Sequence, residues 1–167
     1  MNHEESKLQQ QCVAWFRAQY PHYAMLLTHP ANEGNGNRVS GAIHKAEGTV
    51  AGVPDLILFM SAEYRREVGS GAQYMALVYH YHAFGIEFKT QKGRQSQQQK
   101  DFQQMFDTAG YKYVIVRSFD EFKNVVEDYM GHVEYNILEA LSLTHRLIIT
   151  AAEAKEKEKF QKFINKK

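Results

Sequence analysis

Pro54-Asp-Leu-Ile-Leu-Phe-Met60 is a continuous apolar run broken by a single acid at its start. Such a run, opened by a proline, reads as a strand buried on both faces, as in a mixed or parallel sheet. Further on, Tyr74 to Lys89 is rich in Tyr, Val, Phe and Ile and reads as one or two strands ending in Ile86-Glu-Phe-Lys-Thr90. Side chains alternate faces along a strand, so Glu87 and Lys89 point the same way, about 6–7 Å apart, while Phe88 points into the core. Asp55 opens a neighbouring strand. A charged residue that opens or closes a run bound for the interior needs a compensating partner. Two carboxylates converging from adjacent strands make a hard oxygen site suited to Mg²⁺ or Mn²⁺.

Outward from these strands, Ser6 to Tyr20 has the apolar spacing of an amphipathic helix, stopped by Pro21. Ala24 to Thr28 reads as a short strand. Asn32 to Gly52 is a long Gly- and Asn-rich loop with a helical piece around residues 40–46. Ser61 to Ala72 reads as a polar excursion. Ser96 to Ala109 is a helix ended by Gly110, Tyr111 to Arg117 is a strand, and Ser118 with Glu121 marks the start of a helix running to about Met130. The expectation is an α/β fold with a mixed central sheet and helices on both faces. Residues 1–130 form the core domain. After a short linker at Gly131-His132, residues 131–167 form a C-terminal helical extension whose end alternates Glu and Lys.

The 167 residues suit one compact domain, and 44% hydrophobic content is enough for a core. No apolar run approaches the roughly 18–20 residues that span a bilayer, and the polar, acidic start is unlike a secretory signal. The single cysteine, Cys12, excludes an internal disulfide framework and a cysteine-based zinc site. The expectation is a cytoplasmic protein with no membrane partner and no small-molecule cofactor. Net charge is only +1, but Lys89, Lys92, Arg94 and Lys100 fall within one stretch that holds no acid. Such a local field can hold phosphates, although a solvated basic loop explains the charges equally well.

Asp55, Glu87 and Lys89 suit phosphodiester hydrolysis. The diester is anionic and repels hydroxide, so a divalent metal that neutralises its charge and acidifies water is useful. A lysine beside the metal can orient the water, accept its proton or stabilise charge in the transition state. Taken alone, an Asp followed by Glu-x-Lys is a short pattern that chance also produces. Candidate DNA contacts are Lys92, Arg94, Ser96 and Lys100, with Asn32 from the glycine-rich loop.

Several spaced motifs agree in order with one family. Gly52-Val-Pro-Asp-Leu-Ile-Leu58, Ile86-Glu-Phe-Lys-Thr-Gln-Lys-Gly-Arg-Gln-Ser96 with Gln99, and Gly110-Tyr-Lys-Tyr-Val-Ile-Val-Arg-Ser-Phe119 resemble the VRR-NUC domain of the PD-(D/E)XK nuclease superfamily. Pro30-Ala-Asn-Glu-Gly34 resembles a segment of small phage and bacterial members. The resemblance covers about residues 4 to 128 and implies a restriction-endonuclease-like α/β/α core. It also implies Asp55, Glu87 and the Phe88 carbonyl as metal ligands, Lys89 as the catalytic lysine, and Gln99 as an active-site glutamine. Glu5, or its neighbour Glu4, is similar to a helical glutamate that helps bind metal in related resolvases. Stand-alone members resemble Holliday-junction resolvases, which act as homodimers on branched DNA.

Each of these residues also has an ordinary reading. Glu5 is a favourable charge at a helix start, Gln99 a solvated helix residue, and Asn32 and Glu33 turn formers. His29 and His44 could touch phosphate, but a lone loop histidine is usually not catalytic. His80 and His82 share a strand face without a third zinc ligand. Trp15 and the Tyr/Phe runs belong to the core. The resulting expectation is a metal-dependent, structure-selective endodeoxyribonuclease. Its rivals are a restriction-like or nicking nuclease acting on linear duplex, and a DNA-binding scaffold that does not cut.

Overall fold

The computed structural model describes residues 3–30, 38–69, 75–133 and 155. Asn32, Glu33 and nearly all of the expected C-terminal extension lie outside these. Helix α1 (His3–Gln19) carries Glu4 and Glu5 in its first turn and Arg17 in its last, matching the helix dipole. It buries Cys12 and Phe16, one turn apart, and burial pushes the Cys12 thiol up to about 12, so that residue serves packing. Pro21 then opens a 3₁₀ turn (Pro21–Leu26), and the expected strand shrinks to β1 (Leu27–Thr28). The proline pre-sets a helical φ at the first position of the turn. Met25 and Leu26 remain exposed.

After α2 (Arg38–Ala46) come β2 (Leu56–Leu58), β3 (Ala62–Val68), β4 (Met75–Tyr81), β5 (Phe84–Phe88), α3 (Gln97–Thr108), β6 (Lys112–Val116) and α4, helical over the described residues 119–133. The main sheet runs β1-β2-β5-β6. β2 is antiparallel to β1 and β5, while β5 and β6 are parallel, so the sheet is mixed. The parallel pair needs a long crossover, which α3 provides.

The alternation along β5 sets the layers. Phe84 stacks on Tyr129 of α4 at 4.6 Å and Phe88 on Phe122 at 5.9 Å. Cys12 and Phe16 of α1 join this same core. Gly85 lies on the other face, where an added Cβ would come within 3.0 Å of the Phe106 ring of α3 and the Pro54 ring. Helices therefore cover both faces of the sheet. The described residues contain no helix long and apolar enough to cross a membrane.

Two expectations are corrected. The polar stretch from Ser61 is a strand, β3, paired residue for residue with β4 in a separate two-stranded sheet. Arg65, Arg66 and Glu67 are exposed there, because backbone pairing alone holds the outer ribbon and no buried face imposes an apolar alternation. Gly131-His132 is helix rather than linker. Val133 is buried in the core, and the His132 ring stacks on Tyr64 at 3.7 Å.

Candidate active site

The antiparallel pairing Leu56↔Ile86 and Leu58↔Phe84 extends by one step to set Asp55 opposite Glu87. The Phe88 N–H donates to Asp55 Oδ2 at 2.8 Å, fixing that carboxylate beside the end of β5. Gly52 shapes the approach to β2. Its φ is 91°, and a Cβ there would collide with the backbone carbonyl of Gln98 in α3. The turn before Asp55 therefore packs directly on the start of α3.

Glu87 is 1% exposed. Its Oε1 accepts from Lys89 Nζ at 2.6 Å and from the Gln99 amide. Its Oε2 lies 3.4 Å from the Tyr113 hydroxyl. Glu87 and Lys89 thus share a face, as strand alternation requires. Gln99 reaches Glu87 because it belongs to a capping box. The Ser96 N–H donates to Gln99 Oε1 at 2.9 Å, and the Gln99 N–H donates to Ser96 Oγ at 3.2 Å. A backbone N–H can only donate, so the amide oxygen must face Ser96 and the NH₂ must face Glu87. Ser96, a candidate DNA contact by sequence, has its hydroxyl engaged in this cap.

Both carboxyls titrate above their ordinary range. For Glu87, burial is the largest cause; the Lys89 hydrogen bond opposes it and the neighbouring charge of Asp55 adds to it. For Asp55, burial again leads, opposed by the Phe88 N–H and Lys89 and reinforced by Glu5. Two desolvated, mutually repelling carboxylates make a site that a cation would relieve. The described residues contain no group of three or more His, Cys, Asp or Glu side chains able to hold a metal. The available donor set is therefore two hard carboxylates, to be completed by a backbone carbonyl and water. That fits Mg²⁺ or Mn²⁺, which keep several waters.

Glu5 comes to the same place from α1. Its Oε1 accepts from the Thr90 N–H at 3.0 Å, just past Lys89. Arg117, at the end of β6, locks this turn through Nη1, which donates to the Thr90 carbonyl at 2.5 Å and the Gly93 carbonyl at 2.9 Å. A cleft of about 500 Å³ opens here, lined by Glu4, Glu5, Lys89, Lys92 and Arg117 among others. Arg94 and Lys100 are exposed. His80 stands 3.7 Å from Glu63 and His82 lies edge-on to Tyr111, so neither joins the carboxylates.

Sequence reasoning missed Tyr113 and Arg117. Tyr113 was read with the aromatic core, and its hydroxyl does sit in a buried place; burial, with Glu87 next, raises its pKa. The signal for Arg117 was available: it is a cation closing an apolar strand, as Lys89 is.

The family model of the VRR-NUC domain matches residues 1–120. A solved structure described as a VRR_NUC domain protein superposes with a TM-score of 0.58 at 22% identity, covering 79% of this chain and 92% of the other. No curated protein matches.

Proposed function

The chain belongs to the VRR-NUC family of PD-(D/E)XK nucleases, and on that premise we propose that it is a metal-dependent endodeoxyribonuclease that prefers branched DNA and works as a homodimer. The observation that carries the reading is Glu87, a carboxylate buried opposite Asp55 and gripped by Lys89 and Gln99. A buried acid held in this way has little structural use and a clear chemical one.

Asp55, Glu87 and the Phe88 carbonyl would hold the ion, while Glu5, expected from the sequence as a further ligand, instead accepts from the Thr90 N–H. When bound, Mg²⁺ or Mn²⁺ would supply charge neutralisation at the phosphate and a more acidic water. Gln99 keeps Glu87 aimed, with its own orientation set by the Ser96 cap. The Asp55 carboxylate is kept in place by the Phe88 N–H. Lys89 Nζ, at the rim of the cleft, is positioned to orient water or to stabilise charge developing on the phosphate. Hydrolysis then proceeds in one step with no covalent enzyme intermediate. Lys92, Arg94 and Lys100 supply cations for the backbone of the duplex.

The test is cleavage of plasmid, linear duplex, flapped DNA and four-way junctions with Mg²⁺ or Mn²⁺. The wild type should cut, and cut junctions fastest, whereas Asp55→Ala should not cut. If both proteins behave alike, the reading is wrong.

A further inference from the structure

A second cleft, of about 510 Å³, lies beside α1 and is lined by Ser6, Gln9, Gln10, Arg17 and His29 among others. It is distinct from the catalytic cleft. Glu4 and Leu8 line that one, and they stand about half a turn around α1 from the stripe formed by Ser6, Gln10 and Arg17. The N-terminal half of α1 is thus a ridge with a cleft on each flank. The two differ in make-up: the catalytic cleft mixes Glu4 and Glu5 with Lys89, Lys92 and Arg117, whereas the second carries Arg17 and no carboxylate.

The second cleft is tied to the site through His29. The Nδ1 of that ring lies 2.6 Å from the Asp55 carbonyl oxygen and 3.2 Å from the Gln9 side-chain amide, and Gln9 is buried. A carbonyl only accepts, so Nδ1 must carry the proton. Nε2 is the ring nitrogen left for a ligand. Arg17 is exposed and makes no ion pair among the described residues. The cleft therefore presents a guanidinium, amide groups, a hydroxyl and an imidazole to whatever enters it.

We propose that this cleft binds a phosphodiester of the DNA strand beyond the one being cut, with Arg17 as its principal anion contact. The assignment rests on the nuclease reading. It follows from charge complementarity: a donor-lined, acid-free cleft whose His29 meets the Asp55 backbone suits a backbone phosphate next along from the one at Asp55 and Glu87. A guanidinium is the side chain best matched to such a group.

The experiment measures binding of a fluorescein-labelled duplex and a four-way junction by anisotropy over a range of salt, with Ca²⁺ replacing Mg²⁺, and cleavage kinetics with Mg²⁺. Arg17→Gln should weaken binding severalfold and reduce the slope of log affinity against log salt by about one. It should leave kcat at saturating DNA unchanged, and Arg17→Lys should recover most of the affinity. If Arg17→Gln binds with wild-type affinity and slope while the wild type binds and cuts, this cleft holds no DNA phosphate and the nuclease reading stands. If the wild type neither binds nor cuts any DNA, both readings fall. A third arm uses inorganic phosphate as the probe. Phosphate that raises the Tm of the wild type but not of Arg17→Gln, with DNA affinity equal in the two, identifies a free-anion site and overturns the assignment to DNA.

Discussion

β4 (Met75–Tyr81) and β5 (Phe84–Phe88) are separated only by His82 and Ala83 and share a taste for aromatic and aliphatic residues. Every residue of β5 is buried, while residues 76–80 of β4 are exposed, Val78 at 46% and Tyr79 at 44%. The difference lies in their neighbours. β5 pairs with β2 on one side and β6 on the other, and helices cover both of its faces. β4 has β3 as its one partner, and the outer part of this ribbon has solvent where β5 has helices. The base of the ribbon is held by polar groups: Tyr64 donates to Asp128 at 2.7 Å, and Lys112 donates to Tyr64 at 2.6 Å. Burial thus follows from position in the sheet, and composition only permits it. The same burial makes β5 the place where an acid can be chemically perturbed.

The largest expected contrast is in activity. Lys89→Ala should lower kcat by about 10²–10⁴-fold, measured on a cleavable junction, while Tyr79→Ala in β4 should cut at the wild-type rate. Equal losses would erase the functional difference between the two strands. Gln99→Ala comes next. Removing the group that aims Glu87 should cost about 10–100-fold in activity or metal affinity, with metal affinity read by isothermal titration so that a general folding defect is separated from a lost contact.

Stability should divide along the same line. Phe88→Ala opens a cavity between β5 and Phe122 and should cost about 3–5 kcal/mol in urea unfolding. Tyr79→Ala should stay within about 0.5 kcal/mol. Gly52→Ala tests the packing between the Asp55 turn and α3: its positive φ alone costs about 1–2 kcal/mol, and the clash with the Gln98 carbonyl adds to that and moves Gln99.

The smallest effect concerns pH and has opposite signs in the two regions. Asp55 and Glu87 have raised pKa values, chiefly through burial, so the folded metal-free protein holds more protons there than the unfolded chain. That contribution is present below the ordinary carboxylate values and fades as pH rises through the raised ones. Asp128, at the base of the ribbon, behaves in reverse. Burial pushes it upward, but the Tyr64 hydroxyl and Lys112 outweigh burial and leave it below the ordinary value. Its contribution is present above the ordinary carboxylate value and is lost as pH falls through the lowered one. Protection of the β3–β4 amides from hydrogen exchange, taken relative to the intrinsic rate at each pH, should therefore fall on acidification. Thermal melts of the metal-free protein should show stability from the central sheet declining as pH rises from the acid side. Asp128→Asn should abolish the first response and leave the second.

Much of this organisation was legible in the sequence, for identifiable reasons. β2, β5, α3 and β6 could be placed because their periodicity, the Ser96 cap and the Gly110 stop are local signals. Asp55, Glu87 and Lys89 stood out as charges at the margins of apolar runs. β3 was not legible, because its outer residues are exposed on both faces and carry no alternation. The continuity of α4 through Gly131-His132 was hidden because a glycine suggests a break, whereas the helix is held there by Val133 in the core and by His132 on Tyr64.

The sequence by itself determined β2, β5 and β6, their charged ends and the family they resemble, because those depend on side-chain type at short spacing. Tertiary structure decided what sits around Glu87. Gln99 comes from a helix, Tyr113 from the parallel strand, and Asp55 from the antiparallel partner. Glu5 and Arg117 converge on the turn at Thr90 from opposite ends of the domain. No local rule brings these residues together. Their meeting follows from the strand register and from the helices that bury both faces of one short strand.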